Sequence, residues 1–467
     1  MRDTQPEDTP APVAAGPTQA GDTQARWAWV ERTVWTERML AALETGVRGG
    51  KWFSLMDKVY APTNLAVAWD TVRRNQGCGG VDGQSLHAFA GCADQELARL
   101  GEELRTDTYR PRPVKRVSIP KAGSREARPL GIPTVRDRVV QTALRQVLEP
   151  IFERRFLPCS YGFRPGRGCQ DALGRVHALL EAGYTWVVDA DIQHYFDTIP
   201  HDGLMQDIGQ EIADGRVLAL VRGYLRAGVL DGTETWTPER GTPQGAVISP
   251  LLANIYLHPV DAEMTQQGWE LVRYADDVVV LCRTEREAQA ALAHLQRLIE
   301  GRGVTVHPTK TRIVDATQRG GFDFLGYHFE RGYRWPRKKS LAKLKDLVRV
   351  NTKRTSGQSL SRIVADVNRT LRGWFAYFQH SHPTTFRALD GWVRMRLRSI
   401  LRKRYGHRGG SRGADHQRWP NAFFRDAGLF TMTEARIAHC WPQMRDHRLE
   451  SRMREIRLSG LAGGGTG

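Results

Sequence analysis

Two adjacent carboxylates, Asp276 and Asp277, carry the clearest chemical signal in the sequence. They lie between two apolar stretches, residues 269–273 and 278–281, that predict β-strands. Like charges this close disfavour joint ionisation, and a bound cation relieves the repulsion. Mg²⁺ prefers hard oxygen ligands and commonly takes one or two protein carboxylates. The run therefore predicts a hairpin that forms part of a two-metal phosphoryl-transfer site, and an Asp-rich β-turn is the simpler alternative.

A third carboxylate, Asp191, ends a predicted buried strand that begins at Trp186. An Asp at the end of an apolar strand requires a partner or a metal ion. Between the acidic segments lies a Gly/Pro loop that contains Gln244, followed by an apolar run, residues 246–256, that suits a helix. A glycine beside Gln244 would let the backbone approach a nucleotide closely. An ordinary loop and helix cap is the alternative.

These segments occur in an order that resembles the palm of a reverse transcriptase: an Asp after a strand, a Pro-Gln-Gly loop, Tyr-Ala-Asp-Asp and then a Lys. The resemblance extends to the group II intron-encoded reverse transcriptase/maturase family and covers roughly residues 50–445. Further blocks similar to that family are Ile-Pro-Lys at 119–121, Arg-Pro-Leu-Gly-Ile-Pro-Thr at 128–134, Ser-Tyr-Gly-Phe-Arg-Pro-Gly at 160–166, Phe-Asp-Phe-Leu-Gly-Tyr at 322–327, Gly-Trp-Phe-Ala-Tyr-Phe at 373–378 and Trp-Pro-Asn at 419–421.

The resemblance implies which residues perform the chemistry. Those expected to be catalytic and to hold two Mg²⁺ ions are Asp191, Asp276 and Asp277, with Asp276 the firmer ligand of the hairpin pair. Asp189 would support this site, and Asp197 would cap the following helix. For these two carboxylates the assignment depends on the register of the match to the family.

The same resemblance implies a nucleotide site. Tyr195 or Phe196 would stack under the incoming sugar and exclude a 2′-hydroxyl, with Phe196 the better candidate. The alternative for these two aromatic residues is a place in the protein core, and the alternative for the basic residues Lys121 and Arg128 is a solvated loop. The other residues expected to contact the nucleotide are Lys121, Arg128, Gln244 and Lys310.

Basic residues are concentrated in the last third of the chain. The 467 residues carry a formal net charge of +17, and residues 331–467 contain 30 Lys and Arg against 9 Asp and Glu. Such an asymmetry indicates a polyanion-binding region attached to a near-neutral one. A solvated face is the alternative for the basic residues, and thumb core is the favoured interpretation of the aromatics between them. The residues expected to bind RNA are Lys343, Lys345, Arg349, Lys353, Arg354, Arg394, Arg398 and Arg402.

Composition excludes several classes of protein. The six cysteines form no Cys-x-x-Cys pair, which argues against a zinc module or a disulfide framework. No apolar stretch long enough for a signal or a membrane span is present, so a cytoplasmic location is expected. The expected domains are a disordered tail (1–25), an N-terminal extension (26–110), reverse transcriptase fingers and palm (111–330), a thumb/maturase domain (331–405) and a basic C-terminal segment without an endonuclease (406–467).

The expected fold is α+β, a right-hand polymerase with an antiparallel sheet in fingers and palm, followed by an α-helical thumb. The expected function is RNA-directed DNA synthesis by a group II intron-encoded protein that also binds its intron RNA to assist splicing and mobility. Expected partners are the intron RNA, a DNA target or primer and deoxynucleoside triphosphates, without a membrane; monomer and homodimer both stay open. Two alternatives are an intron-free relative in DNA repair or phage defence and a non-catalytic RNA-binding splicing factor.

Overall fold

The structure is a computed structural model and describes residues 26–47, 49–120, 127–407 and 413–438, without the side chain of Arg128. The predicted disordered tail and Lys121 lie outside these ranges. The chain forms two compact units. Unit 1 comprises the described residues of Met1–Ala172, Ala190–Val280 and Gln289–Arg312, and unit 2 those of Leu173–Asp189, Leu281–Ala288 and Ile313–Gly467. Because each unit is discontinuous in sequence, the predicted domain boundaries stay proposals.

The first part of the chain is mainly helical. Its helices are α1 (Glu37–Thr45), α2 (Met56–Val59), α3 (Pro62–Asn75), α4 (Leu86–Ala90), α5 (Ala93–Arg105), α6 (Val135–Glu153) and α7 (Cys169–Glu181). Helices α4 and α5 are separated because the chain turns at Gly91 and Cys92. Helix α6 begins where the Thr134 hydroxyl accepts a hydrogen bond from the Asp137 amide at 3.1 Å.

The middle of the chain contains a second group of helices. They are α8 (Tyr195–Thr198), α9 (His201–Glu211), α10 (Gly215–Leu225), α11 (Ser249–Gln266) and α12 (Glu285–Gly301). Helix α11 follows the Pro-Gln-Gly loop as predicted, and its side chains from Leu251 to Leu257 are buried all around the helix. A helix that is apolar on all sides belongs in a protein core, so α11 supports the loop from inside unit 1.

Eleven strands occur within the described ranges. They are β1 (Val114–Pro120), β2 (Ala127–Ile132), β3 (Trp186–Asp191), β4 (Val229–Asp231), β5 (Glu234–Trp236), β6 (Glu270–Tyr274), β7 (Asp277–Cys282), β8 (Arg312–Asp315), β9 (Phe322–Phe324), β10 (Tyr327–Glu330) and β11 (Tyr333–Pro336). They form three sheets, ordered β2-β1-β4-β5, β6-β7-β3-β8 and β11-β10-β9. Strands β3 and β7 are apolar and largely buried, as expected of central strands.

The first of these sheets is mixed rather than antiparallel as predicted. Strand β1 pairs with β2 in the antiparallel direction, and β4 pairs with β5 in the same way. However, β1 and β4 are parallel, with Val114 opposite Val229. A parallel pair requires a long connection, and here that connection contains most of the helices of the middle region.

Unit 2 contains the helical region predicted as the thumb. Its helices are α13 (Lys338–Asn351), α14 (Leu360–Phe378), α15 (Pro383–Arg404), α16 (Gly413–Arg418) and α17 (Asn421–Asp426). They enclose a core that includes Leu344, Val348, Ile363, Val367, Leu371, Phe386, Val393, Leu397, Ile400 and Phe424. Phe378 is buried and stacks on the half-buried Trp374 at 4.6 Å between ring centroids, so these aromatics are thumb core. Within the described ranges, no helix combines the length and the apolarity needed to cross a bilayer.

Candidate polymerase active site

The Asp276/Asp277 segment forms the predicted hairpin turn. Strands β6 and β7 are joined by Ala275 and Asp276, and the strand interiors are buried. Ala275 has a φ of 58°, a left-handed conformation that is uncommon for a residue with a side chain. Burial raises the pKa of the neighbouring Tyr274 to about 12, with a hydrogen bond to Cys169 contributing, so this hydroxyl stays protonated at neutral pH.

Asp191 lies at the end of β3, and β3 is next to β7 in the sheet. The Asp191 carboxylate accepts a hydrogen bond from the Lys310 ammonium at 2.9 Å. The main chain around Lys310 is attached to the same strand end, because the His307 amide donates to the Asp191 carbonyl at 2.7 Å. The structure thus brings Asp191 and Lys310 together, although they are far apart in the sequence.

The donor set suits a divalent cation. Carboxylate oxygens on neighbouring strands are the ligands that Mg²⁺ prefers, and Asp191 already pairs with a positive charge. Across the described part of the chain, no three His, Cys, Asp or Glu side chains are grouped closely enough to hold a metal ion. The predicted magnesium site therefore stays a proposal. If Mg²⁺ binds, Asp191, Asp276 and Asp277 are the residues that would hold it.

The two predicted sugar-contacting aromatics differ in exposure. Tyr195 is 2% exposed, and its hydroxyl donates to the Ala253 carbonyl at 2.6 Å. Burial raises the pKa of Tyr195 well above its usual value, consistent with a core residue. Phe196 is half-buried and contacts the exposed ring of Phe163 edge-on at 6.4 Å between centroids. The side chain of Tyr195 is thus inaccessible to a nucleotide here, and the proposal is narrowed to Phe196.

Asp197 does not cap the following helix as predicted. It lies inside the short helix α8, whose N-cap is His194, and helix α9 begins after Pro200. Asp197 instead lines a cavity of about 310 Å³. The sequence missed this because α8 occupies only four residues, Tyr195–Thr198, and two helices are separated by a single turn.

The Pro-Gln-Gly loop and the β1–β2 strands form most of that cavity. Its wall includes Gln244, whose predicted contact with the nucleotide stays a prediction, together with Arg116, Gly131, Trp236, Arg240 and Thr242. The Gln244 carbonyl accepts a hydrogen bond from the Gly131 amide at 2.6 Å. Gly245 has a φ of 104°, and a Cβ atom there would lie 2.6 Å from Leu130. The glycine is thus needed for the close approach of loop and strand, and the predicted approach of this backbone to a nucleotide stays a prediction.

The remaining predicted phosphate contacts are described only in part. The backbone of Arg128 is on β2 and pairs with Ile119 of β1, so it belongs to the same sheet as the cavity wall. Its side chain and Lys121 lie outside the described residues. Both assignments stay predictions.

Comparison with known protein families agrees with this geometry. Residues 119–329 match the family described as reverse transcriptase (RNA-dependent DNA polymerase), and residues 341–419 match the group II intron, maturase-specific domain. Protein YkfC of Escherichia coli (strain K12) is 33% identical over 291 residues, which are 54% of this chain and 76% of YkfC. The chain belongs to the group II intron-encoded reverse transcriptase/maturase family.

Other relatives of this reverse transcriptase/maturase align over shorter portions of their length. The group II intron-encoded protein LtrA of Lactococcus lactis subsp. cremoris is 40% identical over 205 residues, 44% of this chain and 34% of LtrA. Nuclear intron maturase 2, mitochondrial, of Arabidopsis thaliana is 27% identical over 252 residues, 45% of this chain and 33% of that protein. The chain thus spans three quarters of YkfC but only about a third of these two relatives. The α+β class with a helical thumb, predicted from the sequence, is confirmed.

Five of the predicted RNA-binding residues of the maturase region are at or near its surface, on and just after α13. Lys343, Arg349, Lys353 and Arg354 are exposed, and Lys345 is half-buried. The Lys345 ammonium and the Arg349 guanidinium both lie 5.8 Å from the centre of the Trp392 ring. We call the four exposed residues the α13 basic surface. Their exposure is what contact with phosphate requires, and RNA binding by them stays a prediction.

The arginines of α15 that were predicted to bind RNA are more buried than the residues of the α13 basic surface. Arg398 is 2% exposed, donates to the Trp419 carbonyl at 2.9 Å and to the Asn421 amide oxygen at 2.8 Å, and lies over the Phe424 ring. Arg402 has a side chain 14% exposed and pairs with the buried Asp415. Both therefore hold α15 against the following segment, and an RNA-binding role for them is wrong for this conformation. Arg394 is half-buried.

Replacing Arg398 with alanine should destabilise the protein by about 3 kcal/mol, because the buried Trp419 carbonyl and the partly buried Asn421 amide oxygen lose a charged donor. Denaturant unfolding measures the effect. The exposed Lys403, five residues further along the same helix, provides the control, and Lys403→Ala should stay within about 0.5 kcal/mol of wild type. Equal stability of the two variants would restore Arg398 as a candidate RNA contact.

Sequence reasoning did not single out three parts of the site. The cavity wall includes Trp236 on β5 and Arg116 on β1, whose guanidinium lies 5.5 Å from the Trp236 ring centre. Phe163 is 45% exposed and contacts both Phe196 and Tyr274. Arg273, in the predicted strand before the hairpin, is buried. A charged residue within an apolar strand was the signal that could have identified Arg273.

Proposed function

We propose that this chain is an RNA-directed DNA polymerase that also binds a group II intron RNA and assists its splicing and mobility. The observation that supports this most is the arrangement within unit 1. Asp191 ends one central strand, Asp277 begins its neighbour, and a cavity of about 310 Å³ lies between the Pro-Gln-Gly loop and the β1–β2 strands. The proposed substrates are deoxynucleoside triphosphates and a DNA primer on an RNA template.

The proposed catalytic roles follow from charge and position. Asp191, Asp276 and Asp277 would hold two Mg²⁺ ions, which activate the primer 3′-hydroxyl and stabilise the leaving pyrophosphate when bound. Most of the rate enhancement in such reactions comes from positioning and charge neutralisation. Lys310 is tethered to the Asp191 strand end and would neutralise phosphate charge from there. Arg116, Arg240 and Gln244 in the cavity wall would orient the nucleotide.

Phe196 should determine the choice between deoxyribonucleotides and ribonucleotides. A bulky ring under the sugar leaves no room for a 2′-hydroxyl, so Phe196→Ala should weaken discrimination against ribonucleotides by about 10- to 200-fold. Single-nucleotide insertion kinetics with dNTP and rNTP pairs measure the ratio of kcat/KM values.

The neighbouring Tyr195 provides a matched control for that experiment. Tyr195→Phe removes only the buried hydroxyl that donates to Ala253, so it should cost about 1 kcal/mol of stability and leave discrimination unchanged. If Tyr195→Phe relaxed discrimination and Phe196→Ala did not, the sugar contact would belong to Tyr195 and the exposure argument would be wrong.

Primer extension tests the proposed activity. The purified protein should extend a DNA primer on an RNA template with Mg²⁺, and EDTA should abolish extension until Mg²⁺ is restored. Sequencing of the RNA that copurifies with the protein tests the intron partner in the same preparation. Intron RNA without primer extension would indicate a non-catalytic splicing factor, and extension without bound intron RNA would favour the intron-free alternative in repair or defence.

A further inference from the structure

We infer that Arg273 is the positioning residue for the Asp276/Asp277 carboxylates, because it holds the hairpin turn from inside the core. The inference rests on the proposed polymerase function and adds to it a residue that need not contact the substrate, the nucleotide or a metal ion. Arg273 is the fourth residue before Asp277, yet its side chain is 2% exposed. Its guanidinium is directed into the protein beneath the turn.

Each N–H group of the Arg273 guanidinium has an acceptor. Nε donates to Asp261 at 2.8 Å, and Nη2 donates to the other oxygen of Asp261 at 2.5 Å and to the Ser160 hydroxyl at 2.7 Å. Nη1 donates to the Asn254 amide oxygen at 2.9 Å and to the Ala275 carbonyl at 3.0 Å. An arginine has five N–H donors in a fixed planar arrangement, and this site uses the whole plane. Burial alone would lower the pKa of Arg273, but the Asp261 carboxylate raises it above its usual value, so the guanidinium stays charged.

The Ala275 carbonyl is the contact that connects this network to catalysis. It belongs to the peptide bond that leads directly into Asp276, and Ala275 has the left-handed φ of 58°. A left-handed residue with a side chain costs about 1–2 kcal/mol unless surrounding contacts maintain it. The Nη1 donor of Arg273 is such a contact. Its loss would allow the turn to relax and would move the carboxylates that follow.

A second segment holds the turn from its other side. The Asn254 side chain, which accepts from Arg273, donates to the Gly162 carbonyl at 2.8 Å. Gly162 lies so close to the turn that a Cβ atom there would be 2.3 Å from the Ala275 nitrogen. The main chain of Arg273 also pairs with this segment. Its amide donates a hydrogen bond to the Cys159 carbonyl at 2.8 Å, and its carbonyl accepts one from the Tyr161 amide at 2.9 Å. The turn is therefore fixed to α11 and to residues 159–162 through the side chains of Arg273 and Asn254 and through the main chain of Arg273.

Stability alone does not explain a charge at this position. A buried ion pair is often replaceable by apolar residues of similar volume without loss of stability. An apolar side chain, however, donates no hydrogen bond to the Ala275 carbonyl. Stability and positioning can thus be separated by removing both charges of the Arg273–Asp261 pair together.

The test compares three variants in the full chain: Arg273→Met, the double variant Arg273→Met/Asp261→Leu, and Arg136→Met. Arg136→Met is the matched control, because it breaks another largely buried ion pair of unit 1, between Arg136 and Glu103 at 2.7 Å. Three properties are measured: unfolding by denaturant, Mn²⁺ affinity of the protein by electron paramagnetic resonance, and kcat for primer extension at saturating primer–template.

Arg273→Met should weaken Mn²⁺ binding about 10-fold and lower kcat about 100-fold, corresponding to a positioning loss rather than removal of a ligand. The double variant should recover stability to that of wild type and keep both defects, whereas Arg136→Met should lose stability and keep Mn²⁺ affinity. A double variant that regained Mn²⁺ affinity and kcat together with stability would overturn the inference.

If the single variant fails to fold, the Mn²⁺ affinity and kcat of the double variant test the inference without it. If wild type binds Mn²⁺ but extends no primer, the proposed function fails, and the Mn²⁺ comparison still decides the role of Arg273.

Discussion

Replacing Asp276 with asparagine should lower primer extension by about 1,000-fold or more, because a neutral amide cannot balance the charge of two divalent cations. A loss of about 4 kcal/mol of transition-state stabilisation corresponds to this factor, at 1.36 kcal/mol per tenfold change in rate. The change is nearly isosteric, so the fold and the affinity for primer–template should be retained. Steady-state extension on an RNA template measures kcat, and an electrophoretic shift measures binding.

The exposed Asp202 in the first turn of α9 is the matched control for Asp276. Asp202→Asn makes the same chemical change in the same unit and should leave kcat within about twofold of wild type. DNA synthesis that survived Asp276→Asn would refute the carboxylate assignment. Loss of synthesis in both variants would instead point to a general sensitivity to charge.

Removing the α13 basic surface should weaken RNA binding roughly 100-fold near physiological salt and flatten the salt dependence. Each phosphate contact contributes about 0.7–0.9 to the slope of log K against log salt, so the combined variant with Lys343, Arg349, Lys353 and Arg354 changed to alanine should lose about 3 from that slope. Filter binding of the copurified RNA at several salt concentrations measures both quantities. Primer extension on a short template should be affected less.

A control with the same change in net charge is available in unit 2. The exposed residues Arg362, Arg369, Arg387 and Arg425 carry the same total charge, but three of them pair with Asp366 or Glu434. Their partners already neutralise part of that charge, so the combined control should lower affinity by about tenfold or less. A control that lost as much affinity as the α13 variant would show that RNA binding responds to net charge and not to this surface.

Local sequence patterns were sufficient to predict the strands that carry the proposed catalytic carboxylates and the helix that follows the Pro-Gln-Gly loop. The Asp276/Asp277 hairpin, β3 and α11 are all apolar segments interrupted by turn residues, and apolar runs bounded by Gly, Pro or Asp are the strongest local signal in a sequence. The order of these segments identified the family. The adjacency of β3 and β7 was not predicted, because strand pairing depends on contacts between distant residues, and the resemblance implied only that Asp191, Asp276 and Asp277 share one site.

Residue spacing in the sequence did not determine which side chains point into the core and which point towards solvent. Arg398 and Arg402 are one helical turn apart on α15 and look like a basic stripe, but this face packs on α16 and α17. Tyr195 and Phe196 are consecutive, yet one is core and the other is partly exposed. The charge of Arg273 within an apolar strand marks it in the sequence, but its role could not be assigned from there because its partners Asp261, Asn254 and Ser160 converge only in three dimensions.

The parallel pairing of β1 with β4 constrains how this protein is made. Val114 meets Val229 only after the ribosome has synthesised the whole intervening chain, which takes about 6–23 s at roughly 5–20 residues per second. During that time β1 and β2 present an unpaired edge that attracts other strands. Nascent chains released before β4 emerges should therefore aggregate, and a chaperone bound to this edge should raise the yield of soluble protein.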